Sequence, residues 1–474
     1  MKILIFGVGS FYSKRKQILY ENLKDDEIVA FIDNKIKTIG EFDGLKIYNP
    51  SLINKIQFDI IIIMSSYVKT MKEQILNFGI DSKKIKFFEQ YISEKTHGEI
   101  HLYKSKQVSN GKRILIISHV IEYSGAPMTA VYAAKVLKEK GYEVWIATPE
   151  AEKNFVEEIK AMNINLAICP AIRYIGEEEL FFIKKFDIVM INTFTMIQVA
   201  CVISEIKPVF WWIHEADNIY RKYIEQYYDF NNINKMKKIN IVAVSEIAKK
   251  NFDFHFPHLI KDTMSYGIPD RYENLNQHNY AHKKNHLVFA LIGGVTVRKA
   301  QDVFLNAIKL LSINDRKNLE FWIIGSIGNN DYANKIRDMA AEIEQVKIWG
   351  TLNRNELEKI YPDIDVVVCP SLEDPLPIVM TEGMMYKKVC IASDSTGTSQ
   401  YIKNGINGFV CKTNDIEDLM QKMKWCTDDD NKLKLIDIGK NARKTYEEFF
   451  TMEKFGERLE KIILQTEKNY EKFN

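Results

Sequence analysis

The chain has 474 residues, 46% hydrophobic and 27% charged, which is ordinary for soluble globular protein and excludes disorder and collagen-like structure. At roughly 100–200 residues per domain this length predicts about three domains, with cores large enough to need no disulfide or metal staples. Lys+Arg 65 against Asp+Glu 63 leaves a formal net charge of +2, so the chain as a whole is not built to coat nucleic acid.

Cys169, Cys201, Cys369, Cys390, Cys411 and Cys426 form no Cys-x-x-Cys pair. That spacing points away from zinc and from a secreted disulfide scaffold, toward free thiols in a reducing cytoplasm. Met1 to Ser10 is apolar, but the cationic run Ser13-Lys14-Arg15-Lys16 follows it, the reverse of a signal peptide. The longest apolar stretch, Ile188 to Ile203, is broken by Asn192, Thr193, Thr195 and Gln198 and falls short of the about 20 residues a bilayer span requires. The expected place is the cytoplasm, either free or peripheral on the inner face of the membrane.

In chain order, three segments start alike, with a short apolar run, small residues, then a helical pattern. They are Lys2 to Gly9, Arg113 to His119 and Leu287 to Gly294. Unbroken apolar runs mark strands buried on both faces, and strand, small-residue turn, helix is how a doubly wound α/β domain begins. The first domain is expected over residues 1–95, with Glu27 to Asp33 and Phe58 to Met64 as further strands. Residues 96–112 read as a linker. The second domain is placed at 113–280, with a helix over Ala130 to Glu139 and strands at Tyr142 to Ala147, Phe186 to Ile191, Val209 to Ile213 and Asn240 to Val244. The third is placed at 281–450, with strands at Glu320 to Gly325, Val346 to Trp349, Val366 to Cys369 and Val389 to Ala392. Residues 451–474 read as one long charged helix with no partner strand.

Four loops could carry chemistry. Pro370 to Gly383 follows a buried strand, at the carboxyl end of a parallel sheet where open α/β folds bind ligands. Pro375 and Pro377 forbid an ordinary helix before about Pro377. This keeps Asp374 on the loop, places Glu382 in the first turns of the next helix, and leaves the amides around Ile378 as its phosphate-binding positive end. On spacing alone the alternative is an N-cap aspartate with a solvated glutamate. Gly293 to Gln301 joins a glycine turn to Arg298 and Lys299, which suits a diphosphate or, equally simply, a surface basic pair. Ser124-Gly125-Ala126 allows close backbone approach before a helix start, or is an ordinary turn. His214 ends a strand, where a lone histidine is either structural or a ligand contact.

Taken together these loops, over about residues 112–450, resemble the family 4 glycosyltransferases of the GT-B class. The resemblance implies an α/β chain with two Rossmann-like domains facing across a cleft, here preceded by an extra Rossmann-like domain. It implies transfer of a sugar from a nucleotide-sugar donor to a glycan or lipid-linked acceptor in bacterial surface polysaccharide or glycoconjugate assembly, with retention, no metal and no cofactor. Asp374 and Glu382 occupy the places of the family's two acids, the first serving the donor sugar and the second the ribose. Catalytic roles fall on His214 and Asp374. Donor binding falls on Gly125, Ala126, Arg298, Lys299, Pro377, Ile378, Val379 and Glu382. The chain departs from the pattern in having Asp for the usual Glu at 374, Gly294 and Val295 where an Arg often stands, Ala300 for Gly, and Gln400 where Glu is common. Tyr266 to Asp270 and Thr396 to Ile402 resemble further family segments.

Two readings from other classes stay open. Gly7, Gly9 and Asp33 carry part of a dinucleotide fingerprint, with Tyr12 in place of the third glycine. An NAD(P)-dependent sugar-modifying enzyme would use them, and a silent nucleotide-sugar-binding scaffold would need no catalysis. Tyr220 to Lys238 mixes aromatics with Arg221, Lys222, Lys235, Lys237 and Lys238, as a membrane-surface face or as a solvated helix.

Overall fold

A strand such as Ile60–Ile63, four isoleucines in a row, has no polar face to show to water and must be covered on both sides. The computed structural model describes residues 1–105, 111–226, 238–272 and 286–473, and in these residues such strands form three mostly parallel sheets. The first holds β1 (Lys2–Phe6), β2 (Glu27–Ile32), β3 (Gly40–Phe42), β4 (Leu45–Tyr48), β5 (Ile60–Ile63) and β6 (Ile85–Phe87) in the order β3-β4-β2-β1-β5-β6. Only the β3–β4 pair is antiparallel.

The second sheet holds β7 (His101–Tyr103), β8 (Arg113–Ser118), β9 (Glu143–Thr148), β10 (Asn165–Ile168), β11 (Ile188–Asn192), β12 (Val209–Ile213), β13 (Ile239–Ala243) and β14 (Asp262–Thr263). Their order is β14-β13-β12-β11-β8-β9-β10-β7. The third holds β15 (Leu287–Ile292), β16 (Leu319–Ile324), β17 (Val346–Gly350), β18 (Val366–Cys369), β19 (Val389–Ser393) and β20 (Phe409–Cys411). Its order, β17-β16-β15-β18-β19-β20, is doubly wound, with the switch point between β15 and β18. In the second sheet the switch lies between β8 and β11. Ligand crevices open at the carboxyl ends of such strands, and that is where the candidate loops sit.

Two expectations are corrected. The stretch 96–112, read as a linker, carries β7, which pairs antiparallel with β10 and belongs to the second sheet. Its three residues were too few to show a period. The terminal helix, Met452–Phe473, is charged but has an apolar stripe, with Phe455, Leu459, Ile462 and Ile463 all 4% exposed or less. That stripe returns the chain to the second domain, against β12, β13 and the helix Gly125–Glu139. Thr466 accepts a buried hydrogen bond from Asn240 Nδ2 at 3.0 Å. Lys140 and Lys112 pair with Glu460 and Glu467, each at 2.6 Å.

The first domain packs both faces of its sheet with its own residues. An apolar core runs from the second sheet through Tyr266 and Phe450 to one face of the third. All six cysteines are free.

The returning helix yields a stability test. Leu459 is fully buried and Leu464, five residues on, is 55% exposed. Denaturant titration should show Leu459→Ala costing about 2–5 kcal/mol and Leu464→Ala within about 0.5 kcal/mol of wild type.

Candidate active site

One wall of the site is built on the loop after β18. Pro375 and Pro377 keep the chain extended until the helix Ile378–Met385, whose N-cap, Pro377, supplies no side-chain cap. Asp374 is 6% exposed. Its Oδ2 accepts from Lys299 Nζ at 2.6 Å and pairs with Arg298 Nη1 at 3.1 Å. Arg298 also donates to the Glu373 carbonyl at 2.9 Å. Burial alone would raise the Asp374 carboxyl, but Lys299 and Arg298 outweigh it and hold it below its ordinary value. Burial would likewise depress the Lys299 ammonium, and Asp374 lifts it above its ordinary value instead. Ala300 takes the left-handed conformation, φ +53°, which a glycine adopts freely and alanine adopts at a cost of roughly 1–2 kcal/mol.

The turn Thr396 to Ile402 seats this acid. Asp374 donates its amide to the Ser395 carbonyl at 3.1 Å, and Gly397 donates to the Asp374 carbonyl at 2.8 Å. A Cβ at Gly397 would overlap the Pro375 carbonyl oxygen and crowd Ser245 Oγ. The second domain grips the same loop. Ser245 Oγ donates to the Pro375 carbonyl, Tyr266 OH to the Leu376 carbonyl at 3.1 Å, and the Asp217 amide to Glu373 at 2.5 Å. Asn251 donates to the same Glu373 oxygen.

Glu382 is 1% exposed and sits deeper. One oxygen accepts from Arg354 and the other from Tyr361 OH at 3.1 Å. Arg354 leads the helix Arg354–Ile360 after β17.

The opposite wall comes from the ends of β8, β11 and β12. The helix Gly125–Glu139 begins with no side-chain cap from Ser124. It starts five residues earlier than the hydrophobic pattern indicates, because Gly125, Ala126 and Pro127 form its first turn. Thr193, after β11, has φ +85°, a strained conformation for a β-branched residue. Its Oγ1 lies 2.9 Å from Thr195 Oγ1 and 3.4 Å from His119 Nδ1. His214 Nε2 is buried with no hydrogen-bond partner. Burial holds both His214 and His119 at about 3, His119 with help from the Arg173 charge. Both rings are therefore neutral. Glu215 bridges two strand ends, accepting from the Phe194 amide at 2.6 Å and the His214 amide at 2.8 Å. Burial nevertheless pushes its carboxyl up to about 7.

Between the two domains these groups line a cavity of about 430 Å³. Of the sequence-derived residues it collects His214, Asp374, Gly125, Ala126, Arg298 and Ile378. Lys299 stands behind Asp374, while Pro377, Val379 and Glu382 do not reach this wall. His119, Thr193 and Glu215 also line it and were not singled out in the sequence. Their one signal was position, directly after the apolar runs of β8, β11 and β12. The uncapped starts of both helices face the same space, an arrangement suited to an anion. Among the described residues no three His, Cys, Asp or Glu side chains group to hold a metal ion, and no helix is long and apolar enough to cross a membrane. Most of the cationic aromatic stretch Tyr220 to Lys238 lies outside the described residues. In the first domain, Asp33 spends its oxygens on the Val8 amide at 3.1 Å and the Lys35 amide at 2.9 Å, which locks the glycine turn.

Known proteins agree with this geometry. Residues 110–253 match the model for glycosyl-transferase family 4, and residues 273–445 match that for glycosyl transferases group 1. The chain belongs to the family 4 glycosyltransferases, with the GT-B architecture. Residues 1–86 match a different family, the C2185-like N-terminal domains. Over 188 residues the chain is 26% identical to the Escherichia coli UDP-Gal:alpha-D-GlcNAc-diphosphoundecaprenol alpha-1,3-galactosyltransferase, covering 38% of this chain and 46% of that one. Over 113 residues it is 26% identical to the Campylobacter jejuni N,N'-diacetylbacillosaminyl-diphospho-undecaprenol alpha-1,3-N-acetylgalactosaminyltransferase, covering 23% and 30%. The chain thus spans less than half the length of these two curated relatives. Among solved structures, Anabaena HepE in complex with UDP-glucose superposes with a TM-score of 0.60 at 16% identity, over 74% of this chain and 99% of that one. A Rickettsia africae glycosyltransferase gives 0.61 at 20% identity, over 76% and 100%.

Two outcomes follow from the geometry. Gly397→Ala has to displace the Pro375 carbonyl, and with it Asp374. Its melting temperature should fall, and its transfer activity should fall further than that of a surface Gly→Ala control such as Gly40→Ala, where the backbone is not left-handed and a Cβ meets only an ordinary contact. The pH dependence of stability is also set here. Below the ordinary 6.5 the unfolded chain takes up protons that His119 and His214, at about 3, refuse. Their contribution is complete above pH 6.5 and is lost as pH falls toward 3. Glu215 works oppositely, because its folded carboxyl at about 7 keeps a proton that the unfolded one, at 4.5, releases. Its contribution is present below pH 4.5 and is lost by pH 7. Denaturant titrations should therefore show His214→Gln flattening the fall below pH 6.5, and Glu215→Gln removing the loss between pH 4.5 and 7.

Proposed function

We propose that this protein is a retaining, metal-independent glycosyltransferase that moves a sugar from a nucleoside diphosphate donor to a glycan or lipid-linked acceptor. It would act in bacterial surface polysaccharide or glycoconjugate assembly, in the cytoplasm or peripherally at the inner face of the membrane. The observation that carries this reading is the meeting of two uncapped helix starts, Arg298 and the buried Lys299–Asp374 pair across one interdomain cavity. The acceptor named for the Escherichia coli relative is a lipid-linked diphosphate sugar, and HepE binds UDP-glucose. These support the substrate class.

As the bond from the sugar's anomeric carbon to the β-phosphate breaks, negative charge grows on the departing diphosphate. Arg298, Lys299 and the free amides at Ile378 and Gly125 are placed to stabilise that charge, the role a divalent cation plays elsewhere. Asp374 is displaced from Lys299 as phosphate arrives, and its carboxylate turns to the donor sugar. The acceptor hydroxyl attacks on the face the leaving group vacates, and its proton goes to a phosphate oxygen. His214, neutral and with a free Nε2, accepts a hydrogen bond from a sugar hydroxyl without adding charge. Glu382 reaches the ribose only by sharing its carboxylate with Arg354.

Calorimetry with UDP, GDP and CDP, in EDTA, tests the reading. One of the three should bind without metal, and Lys299→Ala should weaken it by about 1.5–3 kcal/mol, roughly 10- to 150-fold. Asp374→Asn unmasks two cations, so it should bind the nucleoside diphosphate at least as tightly as wild type while transferring sugar far more slowly. Proton NMR of the product should show the donor's anomeric configuration. Binding only with a divalent cation, or wild-type transfer by Asp374→Asn, would contradict the proposal.

A further inference from the structure

The first domain meets the second at a built seam beside the cleft. Glu179 is fully buried there and accepts from the Gly98 amide at 3.0 Å, the Gly176 amide at 2.8 Å and His97 Nδ1 at 3.0 Å. These bonds fix the end of the helix Phe88–Thr96, whose first turn carries Glu89. Glu89 forms one wall of a narrow crevice, and the other walls come from the second domain.

The crevice belongs to the cleft as well as to the seam. Thr195 lines both this crevice and the main cavity. Arg173, on the crevice wall, donates to the His119 carbonyl at 3.0 Å, tying it to the strand end that bears a cavity histidine. The space there is about 40 Å³, against the roughly 10–15 Å³ that a single water needs on this measure. That is too small for a sugar ring and suits one substituent of a ring lying over Thr195.

The lining specifies which substituent. Glu89 presents only hydrogen-bond acceptors, Arg173 only donors, and Gln198 offers both. Met196 and Val199 contribute apolar surface. A phosphate would meet the Glu89 carboxylate, and a hydroxymethyl would leave the apolar surface without contact. An acetamido group matches all three, with N–H toward Glu89, carbonyl toward Arg173 and methyl on Met196 and Val199. We propose that this crevice receives the acetamido group of an N-acetylated acceptor sugar, so that the first domain supplies an acceptor-specificity residue, Glu89. This rests on the glycosyltransferase reading above.

The test uses the full chain and two neutral probes, methyl N-acetyl-α-glucosaminide and methyl α-glucoside, titrated by saturation-transfer NMR into wild type and Glu89→Ala. A separate titration of each protein with whichever of UDP, GDP and CDP binds wild type serves as the folding control. Wild type should prefer the N-acetyl glycoside by about threefold or more, the effect of one net hydrogen bond. Glu89→Ala should lose that preference and keep its nucleoside diphosphate affinity. Equal binding of the two glycosides to wild type, binding of neither, or an unchanged preference in Glu89→Ala would overturn the proposal. Failure of UDP, GDP and CDP alike to bind wild type would instead count against the glycosyltransferase reading, whatever the glycosides do.

Discussion

A buried carboxylate held by two cations organises this molecule. Asp374 lies almost out of water with Lys299 Nζ at 2.6 Å and Arg298 Nη1 at 3.1 Å. Removing one partner from such a cluster leaves an uncompensated buried charge, which is far more costly than the net gain from the intact pair. The cluster as a whole carries one surplus positive charge, at a place where two helix starts already favour an anion. The backbone just after Asp374 is gripped by Ser245 and Tyr266, and the Glu373 carboxylate just before it by Asp217 and Asn251, all of the opposite domain. The position of the acid and the packing of the two domains are therefore one constraint.

The opposite wall is electrostatically quiet. His119 and His214 are neutral, and Glu215 is held near 7 despite accepting two amides. A wall of neutral histidines and a carboxyl raised to about 7 suits hydroxyl-bearing ligands, whereas the cationic side suits phosphate. The cleft thus separates two kinds of recognition across its width. The extra domain sits on the quiet side, fastened through Glu179.

Much of this was legible in the sequence. Strands buried on both faces leave unbroken apolar runs, so β1, β8, β12, β15 and β18 could be read directly. The Asp374 loop and the Arg298–Lys299 turn were legible because prolines and glycines punctuate them. Short edge strands such as β7 and β14 were not, since two or three residues carry no period. The return of the terminal helix was hidden because its many charges masked a stripe one residue in three or four. In the site, pairing was the illegible part. Nothing in the order of residues says that Lys299 meets Asp374, that Arg354 meets Glu382, or that Glu373 reaches across to Asn251, because these partners lie on loops and helices brought together only by the sheets. His119 and Glu215 escaped notice for a related reason. Each is an ordinary residue type whose meaning comes from the mouth it borders.

The account turns on phosphate taking the place of Asp374 at the two cations. A crystal structure of the full chain with a bound nucleoside diphosphate measures this directly. The account requires the β-phosphate within hydrogen-bond distance of Lys299 and Arg298, between the starts of the helices at Gly125 and Ile378, with Asp374 turned away from Lys299. A diphosphate bound elsewhere, or seated there with the Lys299–Asp374 pair still closed, would contradict it.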